Sequence, residues 1–166
     1  MQKPIAFMLI GLPGSGKSTW SKPHIENGVS IISSDDYIDK VAMEKGLTYS
    51  QVFDAEIKNA TAHMNQQIQD LTTAKKPLIW DQTNLTPKSR KPKIDKLKKA
   101  GYEIIGIAFE CPIDEIYNRI AQRTKETGKH IPRKIVNQMS QSYIKPTASE
   151  GFTKIIIVTL EGERVL

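Results

Sequence analysis

Short apolar runs rich in Ile and Val alternate along the chain with longer stretches whose apolar residues recur every three or four positions. That alternation predicts parallel strands joined by crossover helices. The first run is Ile5 to Ile10, and a helix is expected from about Lys17 toward Glu26, with Val29 to Ser33 as a second strand. Between Ser50 and Ala74, the residues Phe53, Ile57, Ala60, Met64, Ile68 and Leu71 fall on one helical face. Pro77 introduces a short strand, Leu78 to Trp80, and Pro87 to Ala100 reads as a helix stopped by Gly101. Tyr102 to Phe109 is the next strand, followed by a helix from about Ile113 to Arg123 with Ile116, Tyr117 and Ile120 inward. The polar segment TKETGKHIP, approximately residues 124–132, is expected to be a mobile lid. A helix from Pro132 to about Ile144 and a strand from Ile155 to Leu160 follow. The expected architecture is α/β in three layers, with a parallel sheet of about five strands between helices. Residues 1–166 read as a single domain.

Composition narrows the class. A chain of 166 residues with 39% hydrophobic residues is long enough to bury one substantial core. No apolar run approaches the roughly 18 residues of a membrane span, and MQKPIAFMLIG is too short an apolar stretch for a signal peptide. A soluble protein with the cytoplasm as its compartment is expected, and no membrane partner. The single cysteine, Cys111, excludes an internal disulfide and a multi-cysteine zinc site. A net charge of +6 favours a polyanionic partner such as nucleic acid, although solvated lysines produce the same balance.

The segment GLPGSGKST fits G-x-x-x-x-G-K-[ST] over Gly11 to Ser18 and lies between an apolar strand and a helix, where such a loop must lie. Gly11, Gly14 and Gly16, with Pro13 and Ser15 between them, let the backbone curl so that N–H groups point at phosphate oxygens. Lys17 supplies charge for the β and γ phosphates of ATP or another nucleoside triphosphate. The Ser18 hydroxyl is placed for Mg2+, and Thr19 for the α phosphate.

In open parallel sheets, ligands sit beyond the C-terminal ends of the strands, so acids at those ends converge on the loop. SSDDYID supplies Asp35 and Asp36, and WDQTN supplies Asp81. One carboxylate can accept the proton of an attacking hydroxyl while another holds water around Mg2+. The same residues also suit a helix N-terminus. Asp35 is favoured as base and Asp36 as cap or support. An arginine that neutralises the transferring phosphoryl group is sought near the lid, where Arg123 and Arg119 both qualify and Lys125, Lys129 and Arg133 compete less well.

The ordered set GLPGSGKSTW, SSDDY, DQTNLTPKSR, Arg123 before HIP, and KPTASEGF resembles the P-loop polynucleotide 5′-hydroxyl kinase family over nearly the whole chain. The resemblance implies a kinase that transfers the γ-phosphate of ATP to the 5′-hydroxyl end of DNA or RNA. It implies Asp35 as general base, and Asp81 at the metal and phosphate site with Thr83, Asn84 and Arg90 around it. It also implies Arg123 as the lid arginine on ATP, with Arg119 as the other candidate. Two positions depart from the family pattern: Ser34 and Ile38 stand where members carry arginines that grip substrate phosphate. The stretches DQTN, KETGKHIP and EGFTKIIIVTLE also resemble the nucleotide-binding domain of heterogeneous nuclear ribonucleoprotein U. Three readings of function therefore stand: a polynucleotide kinase, a kinase of a nucleoside, small molecule or hydroxymethylated DNA base, and a nucleic-acid-binding module that uses nucleotide as a switch.

Lys88, Arg90, Lys91, Lys93, Lys96, Lys98 and Lys99 form either a polyanion track or a solvated face. His24, His63 and His130 lack metal-ligand spacing, and Trp20 and Trp80 are expected in the core.

Overall fold

The Ile- and Val-rich runs become strands covered on both faces, as a parallel sheet between helices requires. In the computed structural model, which describes residues 2–166, β1 (Ile5–Ile10), β2 (Ser30–Ile32), β3 (Leu78–Asp81), β4 (Glu103–Phe109) and β5 (Lys154–Thr159) are parallel in the order β2-β3-β1-β4-β5. Met8 of the central strand aligns with Trp80 on one side and Gly106 on the other. A sixth strand, β6 (Gly162–Val165), returns antiparallel along β5. The sequence predicts about five strands because Gly162–Val165 lacks an apolar pattern and is exposed throughout; its pairing comes from the tight turn at Thr159–Gly162.

Among the described residues six helices flank the sheet: α1 (Lys17–Glu26), α2 (Ser34–Lys45), α3 (Tyr49–Thr73), α4 (Pro87–Lys99), α5 (Ile113–Thr127) and α6 (Arg133–Ser142). Capping explains several boundaries. Thr48 and Gln51 form a reciprocal capping box at α3, and Thr86 and Ser89 do so at α4, where Pro87 occupies the first turn. The lid differs from expectation because α5 continues past Arg123 to Thr127 and ends on Gly128 in the left-handed conformation (φ 72°). Only residues 128–132 connect it to α6.

One face of the sheet packs Ala6, Met8 and Ile104 against Met64 and Ile68 of α3 and Ile94 and Leu97 of α4. On the other face Leu9, Ile79, Ile107 and Phe109 meet Trp20 of α1. Across the C-terminal edge, Leu12, Leu85, Ile116, Ile120 and Val136 tie the loop after β1 to α5 and α6. Trp20 stacks on His24 and donates to Glu163 Oε1 at 3.1 Å, which fastens β6 to α1. None of the described helices is long and apolar enough to cross a membrane.

The basic run on α4 divides. Lys88, Lys91, Lys96, Lys98 and Lys99 are exposed, whereas Lys93 is half-buried over Trp80 and donates to Asn84 Oδ1. Burial pushes the Lys93 ammonium down to about 8. Arg90 is placed differently from the expected phosphate contact. It is fully buried, donates through Nε and Nη2 to Glu150 at 2.7 and 2.8 Å, and through Nη1 to the Asn84 carbonyl at 2.9 Å. All three directions of its guanidinium fork are spent inside the fold, so it braces the β3–α4 loop rather than facing phosphate. Replacing Arg90 by Met strands Glu150 without its partner. The expected loss is about 3 kcal/mol, measured by urea unfolding.

Candidate active site

The loop between β1 and α1 is shaped for close backbone approach. Gly14 and Gly16 take positive φ (77° and 106°), which curls the chain around the first turn of α1. A Cβ on Gly11 would lie 2.7 Å from Ser15 Oγ and 3.0 Å from Phe109 Cβ, so a side chain there would close the cradle. Thr83 accepts from the Gly11 N–H at 3.0 Å, and Asn84 Nδ2 donates to the Leu9 carbonyl at 2.7 Å. These two residues, expected beside the substrate, pin the end of β3 to the root of the loop. Asn84 is buried and takes φ 50°, a conformation asparagine tolerates better than most residues. Lys17 Nζ donates to the Gly11 carbonyl at 2.9 Å, while Ser18 and Thr19 are exposed at the start of α1. Pro13 is half-buried at the tip of the loop.

Charges gather opposite this loop. Burial lowers the Lys17 pKa, and Asp81 and then Asp35 act in the other direction; Arg123 and Lys129 repel it. Asp81 shares the cluster. Burial raises its pKa and Asp35 adds to that, while Lys17 and Lys129 oppose. The cap of α2 is Ser33, whose Oγ accepts from the Asp35 N–H at 3.2 Å. Neither Asp36 nor Asp35 therefore fills the capping role suggested by sequence. Both sit in the first turn, where the helix dipole favours an acid. Asp35 Oδ1 accepts from the Tyr49 hydroxyl at 2.6 Å, and Lys129 Nζ lies 3.4 Å from Oδ2.

Asp36 is pushed up to about 6, first by partial desolvation of its carboxyl and then by Asp81, Asp39 and Asp35. Its native pKa lies above the unfolded one, so the native state holds this proton more tightly. The contribution of Asp36 to stability falls as pH rises from about 4 to about 6 and stays low above that. An Asp36→Asn variant should melt higher than wild type at pH 7.5. The advantage should vanish near pH 3.5, as followed by circular dichroism.

The two candidate arginines, both on α5, separate. Arg119 is committed: Nε pairs with Glu115 at 2.8 Å and Nη1 donates to the Gly14 carbonyl at 3.2 Å, so it braces the loop from α5. Among the described residues Arg123 Nε and Nη2 are buried without a hydrogen-bond partner, and Ser15 Oγ is in the same condition. Buried donors of this kind are costly unless an acceptor arrives. A guanidinium edge, a hydroxyl, Lys17 and a glycine cradle fit a triphosphate. Arg133 instead lies over the Tyr117 ring at 4.3 Å, and Lys125 is exposed.

A metal bound here would need help from the nucleotide. Among the described residues no three His, Cys, Asp or Glu side chains gather at metal-binding distance. Mg2+ in general binds through few protein oxygens and through substrate phosphates. Ser18 and Asp81 are the residues present to hold it. A cavity of about 400 Å³ also opens at the ends of β4 and β5, lined by apolar Leu12, Phe109, Pro112 and Leu160 and by acidic Glu110 and Glu161 among others.

Lys129 and Tyr49 stand closer to Asp35 than their sequence surroundings indicate. Tyr49 carries no motif and reaches Asp35 only through the turn between α2 and α3, a pairing that no local pattern announces. Ile38 is fully buried with Ala42, Val52 and Ala60 between α2 and α3. Position 38 is core here, so no acceptor contact comes from it.

A parallel sheet in the order β2-β3-β1-β4-β5, a glycine-rich loop leading into α1, and acids at the neighbouring strand ends define a P-loop kinase-like α/β domain. The chain belongs to the AAA_33 family of AAA domains, whose model matches residues 7–146. It is 22% identical over 165 residues to heterogeneous nuclear ribonucleoprotein U-like protein 2 of Mus musculus, covering 94% of this chain and 22% of that protein. It is 27% identical over 161 residues to transcription factor bHLH140 of Arabidopsis thaliana, covering 93% of this chain and 16% of that protein. The chain thus spans about a fifth of the length of these relatives. Among solved structures, the PezAT toxin-antitoxin system of Streptococcus pneumoniae is similar with a TM-score of 0.77 and 20% identity, covering 100% of this chain and 71% of that one. A gluconokinase from Sinorhizobium meliloti 1021 is similar with a TM-score of 0.56 and 18% identity, covering 96% and 85%.

Proposed function

We propose that this domain is a kinase that transfers the γ-phosphoryl group of ATP to a hydroxyl, and that its acceptor is the 5′-hydroxyl end of DNA or RNA. The observation that carries the kinase reading is a carboxylate, Asp35, in one charged cluster with Lys17 and with the partnerless Arg123. In the reaction, the acceptor hydroxyl gives its proton to Asp35 as its oxygen bonds to the γ phosphorus. The bond from that phosphorus to the bridging oxygen breaks, and the electron pair leaves on ADP. Lys17 and Arg123 offset the charge that spreads over the transferring oxygens. Mg2+ held at Ser18 and Asp81 would add to that neutralisation. The cavity beside the loop, where Leu12, Phe109 and Leu160 stand together with Glu110, Thr159 and Glu161, has room for the nucleoside part of the donor.

The polynucleotide acceptor rests on the ordered motifs that resemble the 5′-hydroxyl kinases and on the net charge of +6. The likeness to a ribonucleoprotein U-like protein supports a second reading, in which the domain binds nucleic acid and holds nucleotide without transfer. One assay separates them. Labelled ATP is offered with 5′-hydroxyl DNA, 5′-hydroxyl RNA, hydroxymethylated DNA and free nucleosides. Label on the 5′ ends is expected. Label only on nucleosides or modified bases overturns the polynucleotide acceptor. No label anywhere, together with tight nucleic-acid binding, supports the second reading.

A further inference from the structure

Asp35 is engaged on both of its oxygens while the lid is seated. Tyr49, the first residue of α3, donates to Oδ1 at 2.6 Å, and Lys129 Nζ stands 3.4 Å from Oδ2. The same ammonium is 3.7 Å from Asp39 Oδ2 and 4.0 Å from the centre of the Tyr49 ring. Lys129 is 9% exposed, which is rare for lysine, and it belongs to the short connection between α5 and α6. Fixing a lysine side chain costs rotamer entropy, so the two carboxylates and the ring face must offset both that and its lost hydration. The backbone on either side is seated too. A Cβ on Gly128 would strike Thr48 Cγ2 at 2.7 Å, and the His130 N–H donates to Ser50 Oγ at 3.4 Å. The lid thus rests on the turn between α2 and α3, with its lysine pushed through to the carboxylate.

An ion pair that only staples a loop accounts for Lys129 and Asp39, but not for the use of Tyr49. Burial and then the bond to Asp35 raise the Tyr49 pKa, so the phenol remains a donor at every working pH. Oδ1 is thus shared with the phenol, which leaves Oδ2 as the oxygen less engaged by hydrogen bonds and the better placed to receive a proton. That is the oxygen beside Lys129. Asp39, one helical turn further along α2, offers the ammonium a second resting place when it leaves Oδ2.

We propose that Lys129 is a positioning residue of the lid that covers Asp35 Oδ2 while Tyr49 fixes Oδ1, so that the base is released only to an acceptor that takes the place of the lysine. The catalytic part of this proposal rests on the kinase reading; the coupling of lid and carboxylate does not. With the lysine paired to Oδ2 and no acceptor present, a water that reaches Asp35 meets a carboxylate already engaged by a cation, which slows the hydrolysis of ATP.

The test uses the full chain and the variants Lys129→Met, Lys129→Arg, Asp35→Asn and the Lys129→Met/Asp35→Asn double variant. Amide hydrogen exchange over residues 128–131 is read for each. Lys129→Met and Asp35→Asn should each speed exchange by roughly 10-fold, the double variant no further, and Lys129→Arg should stay within about 2-fold of wild type. Acceptor-free ATP hydrolysis should rise roughly 5-fold in Lys129→Met and return to the wild-type rate in Lys129→Arg. Unchanged lid exchange in Asp35→Asn, or additive effects in the double variant, overturns the coupling. Faster exchange without faster hydrolysis overturns the masking of the base. If wild type labels no hydroxyl compound, the kinase reading fails, and the exchange comparison still decides whether lid and carboxylate are linked.

Discussion

Asp35→Asn should reduce phosphoryl transfer by roughly 10³-fold while leaving the affinity for ATP within about twofold, because general-base catalysis contributes on the order of 10²–10⁴. The substitution is nearly isosteric. Its amide oxygen can still accept from the Tyr49 hydroxyl, so α2 and the turn to α3 should keep their places. What is lost is the site that receives the proton of the attacking hydroxyl, together with the negative charge that Lys17 and Lys129 meet. Rapid-quench measurement of transfer, paired with calorimetric titration of ATP, separates the two effects. Transfer within about tenfold of wild type would remove Asp35 from the role of base.

Arg123→Ala should cost roughly 10³-fold in the transfer rate, since an arginine at a transferring phosphoryl group is worth on the order of 10³–10⁵. Here the expectation about folding is the reverse of the usual one for a buried arginine. Arg123 Nε and Nη2 are buried without partners, so its removal should leave the melting temperature unchanged or slightly raised. Arg119 gives the contrasting control. It holds the Gly14 carbonyl and Glu115, so Arg119→Ala should weaken ATP binding through the loop more than it slows transfer. The discriminating measurement is KM against kcat for the two variants. A fall in kcat for Arg119→Ala as large as that for Arg123→Ala would reverse the assignment.

The strands were legible because each apolar run is covered on both faces, and the phosphate loop because its glycines have to lie between a strand and a helix. Asp35 and Asp81 could be found for a similar reason, since strand ends in such sheets converge. The features that escaped depend on contacts distant in sequence. Arg90 belongs to a motif that suggested phosphate, yet its partner Glu150 lies in a short helical turn, Ala148–Glu150, far along the chain. Its choice of carboxylate over ligand follows from burial that no spacing encodes. Asn84 and Thr83 have polar side chains suited to a substrate, but the geometry of the β3–α4 loop spends Asn84 Nδ2 on the Leu9 carbonyl. The end of α5 was missed because TKET is polar enough for either a loop or an exposed helical turn. Gly128 marks where the helix can stop and not how far it must run.

The hairpin formed by β5 and β6 bears on how molecules of this domain behave at high concentration. Without β6, the Ile155–Val158 segment of β5 would present a row of free backbone donors and acceptors along an apolar edge, the kind of edge that recruits strands from other molecules. The strand that covers it is four residues long, exposed at each of them, and carries Glu163 and Arg164, so the new edge is too short and too charged to serve as such a template. The few residues with the least apolar content in the sheet thereby guard its most adhesive flank.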